Sequence, residues 1–318
     1  MNKLAIITAF LGAVKNRYMV YQEDRSLEEK FLMASKVEGI DGLELCYPAD
    51  FDDPKKSKEL LKKNNFGVSA INFRSRRTGK WWRGSFTSES KTERQEFIDE
   101  VKQVMDLAAE LGCRRITTCP LNDGTDYLFE MDYIKAYDYA AETFSAACSH
   151  NPQIRICIEY KENDPRARCL FGNAGETASF CQFTGRENLG VTLDIGHALY
   201  TGERPAQSAV LLAKTNRLFY VHLNDNDGRW DWDMIPGAYH MWEFIEMFYY
   251  LRQLGYNDDW YAFDVFPKEI DTVDTFKSVV MLTRKLEELT DRIDRKKMES
   301  LLEERNPTKT IPYLYSLL

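Results

Sequence analysis

Eight short apolar runs punctuate the chain, and their number and spacing constrain its fold more than anything else in it. They are LAIITAF (4–10), GLELCY (42–47), GVSAINF (67–73), RITTCP (115–120), IRICIEY (154–160), GVTLDIG (190–196), FYVHLN (219–224) and YAFDVF (261–266). Runs this short, rich in branched and aromatic residues, read as strands covered on both faces of a parallel sheet. Between them lie stretches of helical period, such as 91–111 and 240–254. Gly39, Gly67, Gly112 and Gly255 stand where those helices should stop. Strand alternating with helix eight times predicts a single (β/α)8 TIM barrel over 1–290. A doubly wound open sheet is the alternative, and it lacks the GxGxxG turn that usually marks it. The remainder, 291–318, starts charged and ends apolar (IPYLYSLL). It reads as a C-terminal helical extension, a helix plus an extended arm, packed on the barrel or on a second subunit.

At 44% hydrophobic and 29% charged, the chain can fill such a core. A net charge of −8 argues against nucleic acid as a partner. The one basic run, RSRRTGKWWR at 74–83, is expected to be a surface or substrate-facing loop. The seven cysteines are odd in number and show no CxxC or Cys/His spacing, which predicts reduced thiols and a cytoplasmic location. The N-terminus imitates a short signal peptide, but the same residues serve as the first buried strand. No membrane span is expected.

Barrel enzymes carry their chemistry at the C-terminal ends of the strands. Here strand five ends in Glu159 and Lys161, strand six in Asp194 and His197, strand seven in His222, and strand eight in Asp264. At a common register, Glu159, Asp194, His222 and Asp264 bring three carboxylates and an imidazole to one point. Like charges so close raise one another's pKa and destabilise the fold unless a cation compensates. Oxygen ligands with one imidazole suit Mn2+, and also Mg2+, Co2+ or Zn2+. After strand seven comes HLNDNDGRWDWD, one histidine and four more acids in twelve residues. Asp231 and Asp233, with His197, are candidates for a second ion, bridged to the first through Asp194 or His222. Asp225 and Asp227 are candidates to orient imidazoles. Taken singly, each acid is equally a helix cap or a solvated charge.

At these residues the chain resembles the xylose-isomerase-like metal-dependent barrels. That group includes xylose and rhamnose isomerases, ketose 3-epimerases, and inosose and dehydroshikimate dehydratases. The resemblance spans roughly 1–290 and rests on EYK (159–161), LDIGH (193–197), HLND (222–225) and PG (236–237). It implies that Glu159, Asp194, His222 and Asp264 bind metal. Asp at 264, Glu159-x-Lys161, Asp194-x-x-His197 and Asp231-x-Asp233 resemble the two-metal aldose isomerases more than the one-metal epimerases, which place Glu at the strand-eight position.

The expected activity is a metal-dependent isomerase of an unphosphorylated aldose, ketose or keto-sugar, with Glu159, Lys161, His197 and Asp264 as catalytic residues. Lys161 would donate to the substrate oxygen, and Glu159 or His197 would act as base. Arg74, Trp81, Trp82 and His240 are the expected substrate contacts, with Trp230 a further pocket wall. The alternative is a lyase on the same scaffold: a dehydratase, a decarboxylase of a keto-acid sugar, or an eliminating enzyme acting on a 3-keto-glycoside. A DNA-repair endonuclease would need more than the four histidines present, and a non-catalytic metal-binding scaffold is the remaining reading. A homo-oligomer is expected.

Overall fold

The computed structural model describes residues 1–318 except Arg17 and Pro165. Eight parallel strands close into a barrel: β1 (Lys3–Ile7), β2 (Gly42–Tyr47), β3 (Gly67–Phe73), β4 (Arg115–Thr118), β5 (Arg155–Glu159), β6 (Leu189–Asp194), β7 (Leu218–Leu223) and β8 (Trp260–Phe263). Each strand pairs with its neighbours in sequence, and β8 closes on β1. The open-sheet alternative is thereby excluded. The first strand is shorter than expected, because Thr8–Leu11 turns into a 3-10 helix.

Around the barrel run α1 (Leu27–Ala34), α2 (Pro54–Asn64), α3 (Lys91–Glu110), α4 (Tyr133–Cys148), α5 (Ala174–Thr184), the short α6 (Ile195–Tyr200), α7 (Pro205–Lys214), α8 (Met241–Gln253) and α9 (Thr272–Asp291). Their starts are chemically marked. Ser26 makes a capping box with Glu29, and Ser90, Asp132, Asn173 and Asp271 each accept a first-turn N–H. Gly112 and Gly255 do take positive φ just past the ends of α3 and α8, whereas Gly39 takes it in the turn before β2, beyond the Ser35 cap of α1. Gly67 does not. It opens β3, where a Cβ would meet the Trp260 ring at 2.9 Å, and Asn65 in the left-handed region closes α2 instead.

Strand alternation sends one set of side chains outward to the helices and the other into the barrel. The inward set is polar to an unusual degree: Glu44, Asn72, Thr117, Glu159, Thr192, Asp194, Tyr220 and His222 are all buried. Thr117 and Thr192 hydrogen-bond each other at 2.7 Å.

The expected extended arm is helical. After α9 come α10 (Arg295–Glu304) and α11 (Pro307–Tyr315), with Asn306 capping α11 and Pro307 at its first position. The tail folds back onto the barrel's own helices: Tyr315 packs on Trp242 with ring centroids 5.2 Å apart, and Arg292 donates to the Leu317 carbonyl at 2.9 Å. All seven cysteines are unpaired. Among the described residues, no helix is long and apolar enough to cross a membrane.

Candidate metal centre

The four strand-tip residues converge, but not at one register. Glu159 lies level with Thr192, and Asp194, at the next inward position of β6, lies level with His222. His222 in turn lies level with Ala262, and Asp264 follows β8 at the next inward position. The stagger is the shear that closing a tilted barrel requires. Each of the four offers a ligand atom, and these atoms lie within 4.8 Å of one another. His222 Nδ1 is the hub, 3.4 Å from Glu159 Oε1 and 3.7 Å from both Asp194 Oδ2 and Asp264 Oδ2. It is buried without a hydrogen-bond partner.

The other ring nitrogen explains why. His222 Nε2 lies 3.0 Å from Glu44 Oε2. A carboxylate only accepts, so Nε2 donates, and a neutral ring then carries its lone pair on Nδ1, aimed among the carboxylates. Glu44 is itself fixed by the Tyr220 hydroxyl at 2.9 Å and by Asn72 Nδ2 at 2.7 Å. An acid that orients a ligating imidazole is the usual support of a metal site. Sequence reasoning missed Glu44, although the signal was present: a single acid inside GLELCY. Asn224 was missed too; its amide donates to Asp194 Oδ2 at 2.8 Å. Three carboxylates and an imidazole lone pair suit a divalent cation.

The electrostatics point the same way. Burial works against a charged His222, but Glu44 and then Glu159 overcome it and raise its pKa well above the usual value. Burial pushes Asp264 up to about 8, with Glu159 and Asp194 adding to the shift. Burial likewise raises Asp194, with Asp231 and Glu159 reinforcing it. Left to itself, the cluster recruits protons to supply positive charge.

A second group stands beside it. Asp194, His197 and Asp231 bring ligand atoms within 4.8 Å of one another, so Asp194 is common to both groups. His197 Nδ1 donates to the Tyr160 carbonyl at 2.8 Å, and Nε2 lies 3.1 Å from Asp231 Oδ2. Lys161 Nζ sits 2.7 Å from the same Asp231 oxygen and 3.0 Å from Asp164 Oδ2. The expected partner Asp233 is not part of this trio. It adopts a positive φ of 50°, and burial together with Asp231 and Asp264 holds its carboxyl well above the usual range. Cys119 forms a third close group with Glu159 and His197.

The acidic loop after β7 divides by role. Asp225 accepts from Tyr239 N (2.8 Å) and His240 N (3.0 Å) and lies 2.7 Å from His240 Nδ1. Asp227 accepts from Trp232 Nε1 rather than from an imidazole. His240 therefore stands at the start of α8, tied to a buried carboxylate.

Arg74 reaches Cys46 Sγ at 3.9 Å near the centre, and against the opposing effect of burial Cys46, then Asp264 and Glu159, raise its pKa. The tryptophans correct the sequence expectation. Trp81 is 1% exposed and packs against Phe73 and Phe97, with Arg77 and Lys80 over its ring, so it belongs to the core. Trp82 is 76% exposed and faces solvent. Trp230 packs on Tyr200 with ring centroids 6.0 Å apart. The basic run is largely spent locally, since Arg77 and Lys80 both pair with Glu100 of α3.

Residues 32–286 match the family model described as the xylose isomerase-like TIM barrel. Among solved structures, a D-tagatose 3-epimerase-like protein superposes with a TM-score of 0.70 at 17% identity, covering 90% of this chain and 98% of its own. The 3-keto-D-glucoside 4-epimerase from E. coli gives 0.68 at 13% identity, over 90% and 100%. The IolI protein, solved with a zinc atom, gives 0.63 at 16%, over 89% and 96%.

Proposed function

The chain belongs to the xylose isomerase-like TIM barrel family, and from that premise we propose that it is a divalent-metal-dependent sugar isomerase. Its substrate is an unphosphorylated aldose, ketose or keto-sugar. Its ion is manganese, with magnesium, cobalt and zinc as others the donor set accepts. The observation that carries this reading is the buried, unpartnered Nδ1 of His222 facing three carboxylates. The similar folds of a D-tagatose 3-epimerase-like protein and a 3-keto-D-glucoside 4-epimerase, and the zinc bound by the IolI protein, lend support.

Glu159, Asp194, His222 and Asp264 would hold the divalent ion, which would supply Lewis-acid polarisation of a sugar carbonyl. Asp264 is the most exposed of the four, at 13% of its side chain, so substrate meets the centre on its side. Arg74 beside it donates to a sugar oxygen and fixes the ring or chain in place. Glu159 is placed to take the proton from the carbon next to the carbonyl and return it. His197, anchored through Nδ1, holds a proton on Nε2 toward Asp231. Lys161 is engaged by two carboxylates and acts through Asp231 rather than as a free donor.

The test is turnover in D2O, with manganese-loaded protein and a panel of aldoses, ketoses, keto-acids and keto-glycosides. Deuterium at a carbon beside the carbonyl, with no loss of mass, is the expected result. Loss of water, carbon dioxide or an aglycone would replace the isomerase with a lyase. Turnover unchanged in Asp264→Ala would remove the proposed site altogether.

A further inference from the structure

The mouth of the barrel is divided by charge. Glu159, Asp194 and Asp264 stand at the ends of β5, β6 and β8, and Asp231 joins them from the loop after β7. On the other wall, alternation brings Cys46, Arg74 and Cys119 to the inward face at the ends of β2, β3 and β4. Arg74 is the only charged residue of that trio, and register fixes where it stands. Asn72, the inward position below it, lies level with Cys46 and donates to Glu44, the acid that orients His222. The Arg74 N–H donates to the Tyr47 carbonyl at 3.1 Å, which carries the β2–β3 ladder past the end of the strand. Its guanidinium reaches Cys46 Sγ at 3.9 Å.

The neighbouring cations are all paired with acids. Arg77 and Lys80 pair with Glu100, and Arg76 turns to Asp164 at 3.6 Å. Lys161 lies 2.7 Å from Asp231 and 3.0 Å from Asp164. Asp50, which accepts from Cys46 N at 2.7 Å, is already held by Lys30 at 3.2 Å. Among the described residues Arg74 has no ion pair, and its side-chain bond goes to a thiol, a weak acceptor. It is half-buried, so water satisfies it only in part.

We propose that the substrate is a sugar acid, a monosaccharide whose carbonyl end meets the metal centre and whose carboxylate is held by Arg74. The inference rests on the metal-dependent isomerase reading and narrows it to an anionic substrate.

The chemistry of the two walls selects this class. A guanidinium presents a flat fork of donors that matches both oxygens of a carboxylate. A lone hydroxyl would use one of those donors and none of the charge. A phosphate carries nearly two charges and calls for further cations, and Arg76 beside it is already turned to an acid. The acids of β5, β6 and β8 repel a second carboxylate, so the charged end of the substrate is driven to the Arg74 side. That repulsion sets which end of the sugar faces the metal centre.

The test uses matched sugars. Full-length, manganese-loaded protein is offered glucose with glucuronate, galactose with galacturonate, and the two 6-phosphates, in D2O, with binding of each followed by calorimetry. At least one acid is expected to bind and to exchange deuterium, with kcat/KM about 10²–10³-fold above that of its neutral partner. In Arg74→Met that ratio should collapse toward unity while manganese bound per chain stays as in wild type. Arg74→Lys keeps the charge without the fork and should retain part of the ratio. A neutral sugar or a 6-phosphate preferred to its acid overturns the proposal, as does failure of both acids to bind, or a ratio that survives in Arg74→Met. Should that variant not fold, the preference of the wild-type protein decides alone. Neutral sugars isomerised while the acids are ignored would overturn this inference and leave the isomerase reading standing. No manganese in wild type would sink that reading, and this inference with it.

Discussion

The two ends of the barrel both bury charge, and they handle it differently. At the N-terminal end Arg115, the first residue of β4, is 5% exposed. Its guanidinium donates to the Phe219 carbonyl at 2.7 Å, pairs with Asp259, and stacks on Tyr220 at 4.9 Å. Beside it the Trp260 ring presses on Gly42 and Gly67, so the floor is closed. At the C-terminal end, Glu159, Asp194 and Asp264 surround an imidazole nitrogen that donates to none of them. A buried charge that its own chain neutralises is architecture. A buried group of like charges with no ammonium or guanidinium paired directly to it is the arrangement that a bound cation would stabilise, because desolvating like charges together is costly.

The largest effect should come from breaking the upper end. His222→Ala or Asp264→Ala, or stripping with chelator, is expected to lower turnover by at least about 10²–10³-fold, the scale of losing one well-placed electrostatic stabiliser. Steady-state kinetics at saturating manganese checks this. Turnover restored by excess metal in stripped wild type but not in the variants would place the loss at the ligands.

Glu44 sharpens the contrast, since it touches no proposed ion directly. Glu44→Gln keeps the shape but weakens the acceptor for His222 Nε2. Manganese affinity is expected to fall about 10–100-fold, with turnover recovering at high metal. A binding isotherm identical to wild type would mean that His222 needs no second acid to orient it.

A third prediction concerns protons. In the metal-free chain Asp264, with its pKa pushed up to about 8, and His222, raised well above its usual value, hold protons that a cation must displace. Manganese affinity should therefore rise with pH up to about 8, by roughly tenfold per unit for each proton released. Stability of the metal-free protein should run the other way. The folded state keeps the Asp264 proton from the ordinary carboxyl value of 3.8 up to about 8, while the unfolded chain has lost it, so the Tm falls as pH rises across that window. Calorimetry with and without manganese separates the two slopes. A metal-free Tm that rises over the same range would show that Asp264 is ionised in the fold.

Much of this architecture was legible because each barrel strand is covered on both faces and so appears as an uninterrupted apolar run. The four tip residues stood out because acids and a histidine end such runs abruptly. What failed to show depends on three-dimensional facts. Glu44 sits mid-strand in β2 and reads as an accident until alternation places it inward with Gly42 and Cys46. Asp231 and Asp233 look equivalent in sequence, but in the fold Asp231 joins the Asp194–His197 group and Asp233, with its positive φ, does not. Trp81 and Trp82 are adjacent, yet one is core and the other solvent-facing, which no local pattern distinguishes. The terminal helix hid behind Pro312, although Asn306-Pro307 is a helix start.

The smallest effect on turnover should come from the lower end, and that is where the comparison is most exposed to failure. Arg115→Met replaces the guanidinium with an apolar chain of similar length and leaves Asp259 without its partner. Because Asp259 keeps 25% of its side chain exposed, water screens the orphaned carboxylate, and the cost falls below the ~3–5 kcal/mol typical of breaking a fully buried pair, to about 1–3 kcal/mol. The Tm should drop by a few degrees, while manganese affinity and turnover stay within about twofold of wild type, since Arg115 contacts none of the upper residues. Losing metal affinity along with stability would mean that the two ends are coupled through the polar interior, by way of Tyr220, which stacks on Arg115 and also donates to Glu44. Tyr220→Phe distinguishes the cases: it removes the bond to Glu44 but keeps the ring under Arg115, so an independent upper end predicts weaker metal binding with the floor unchanged.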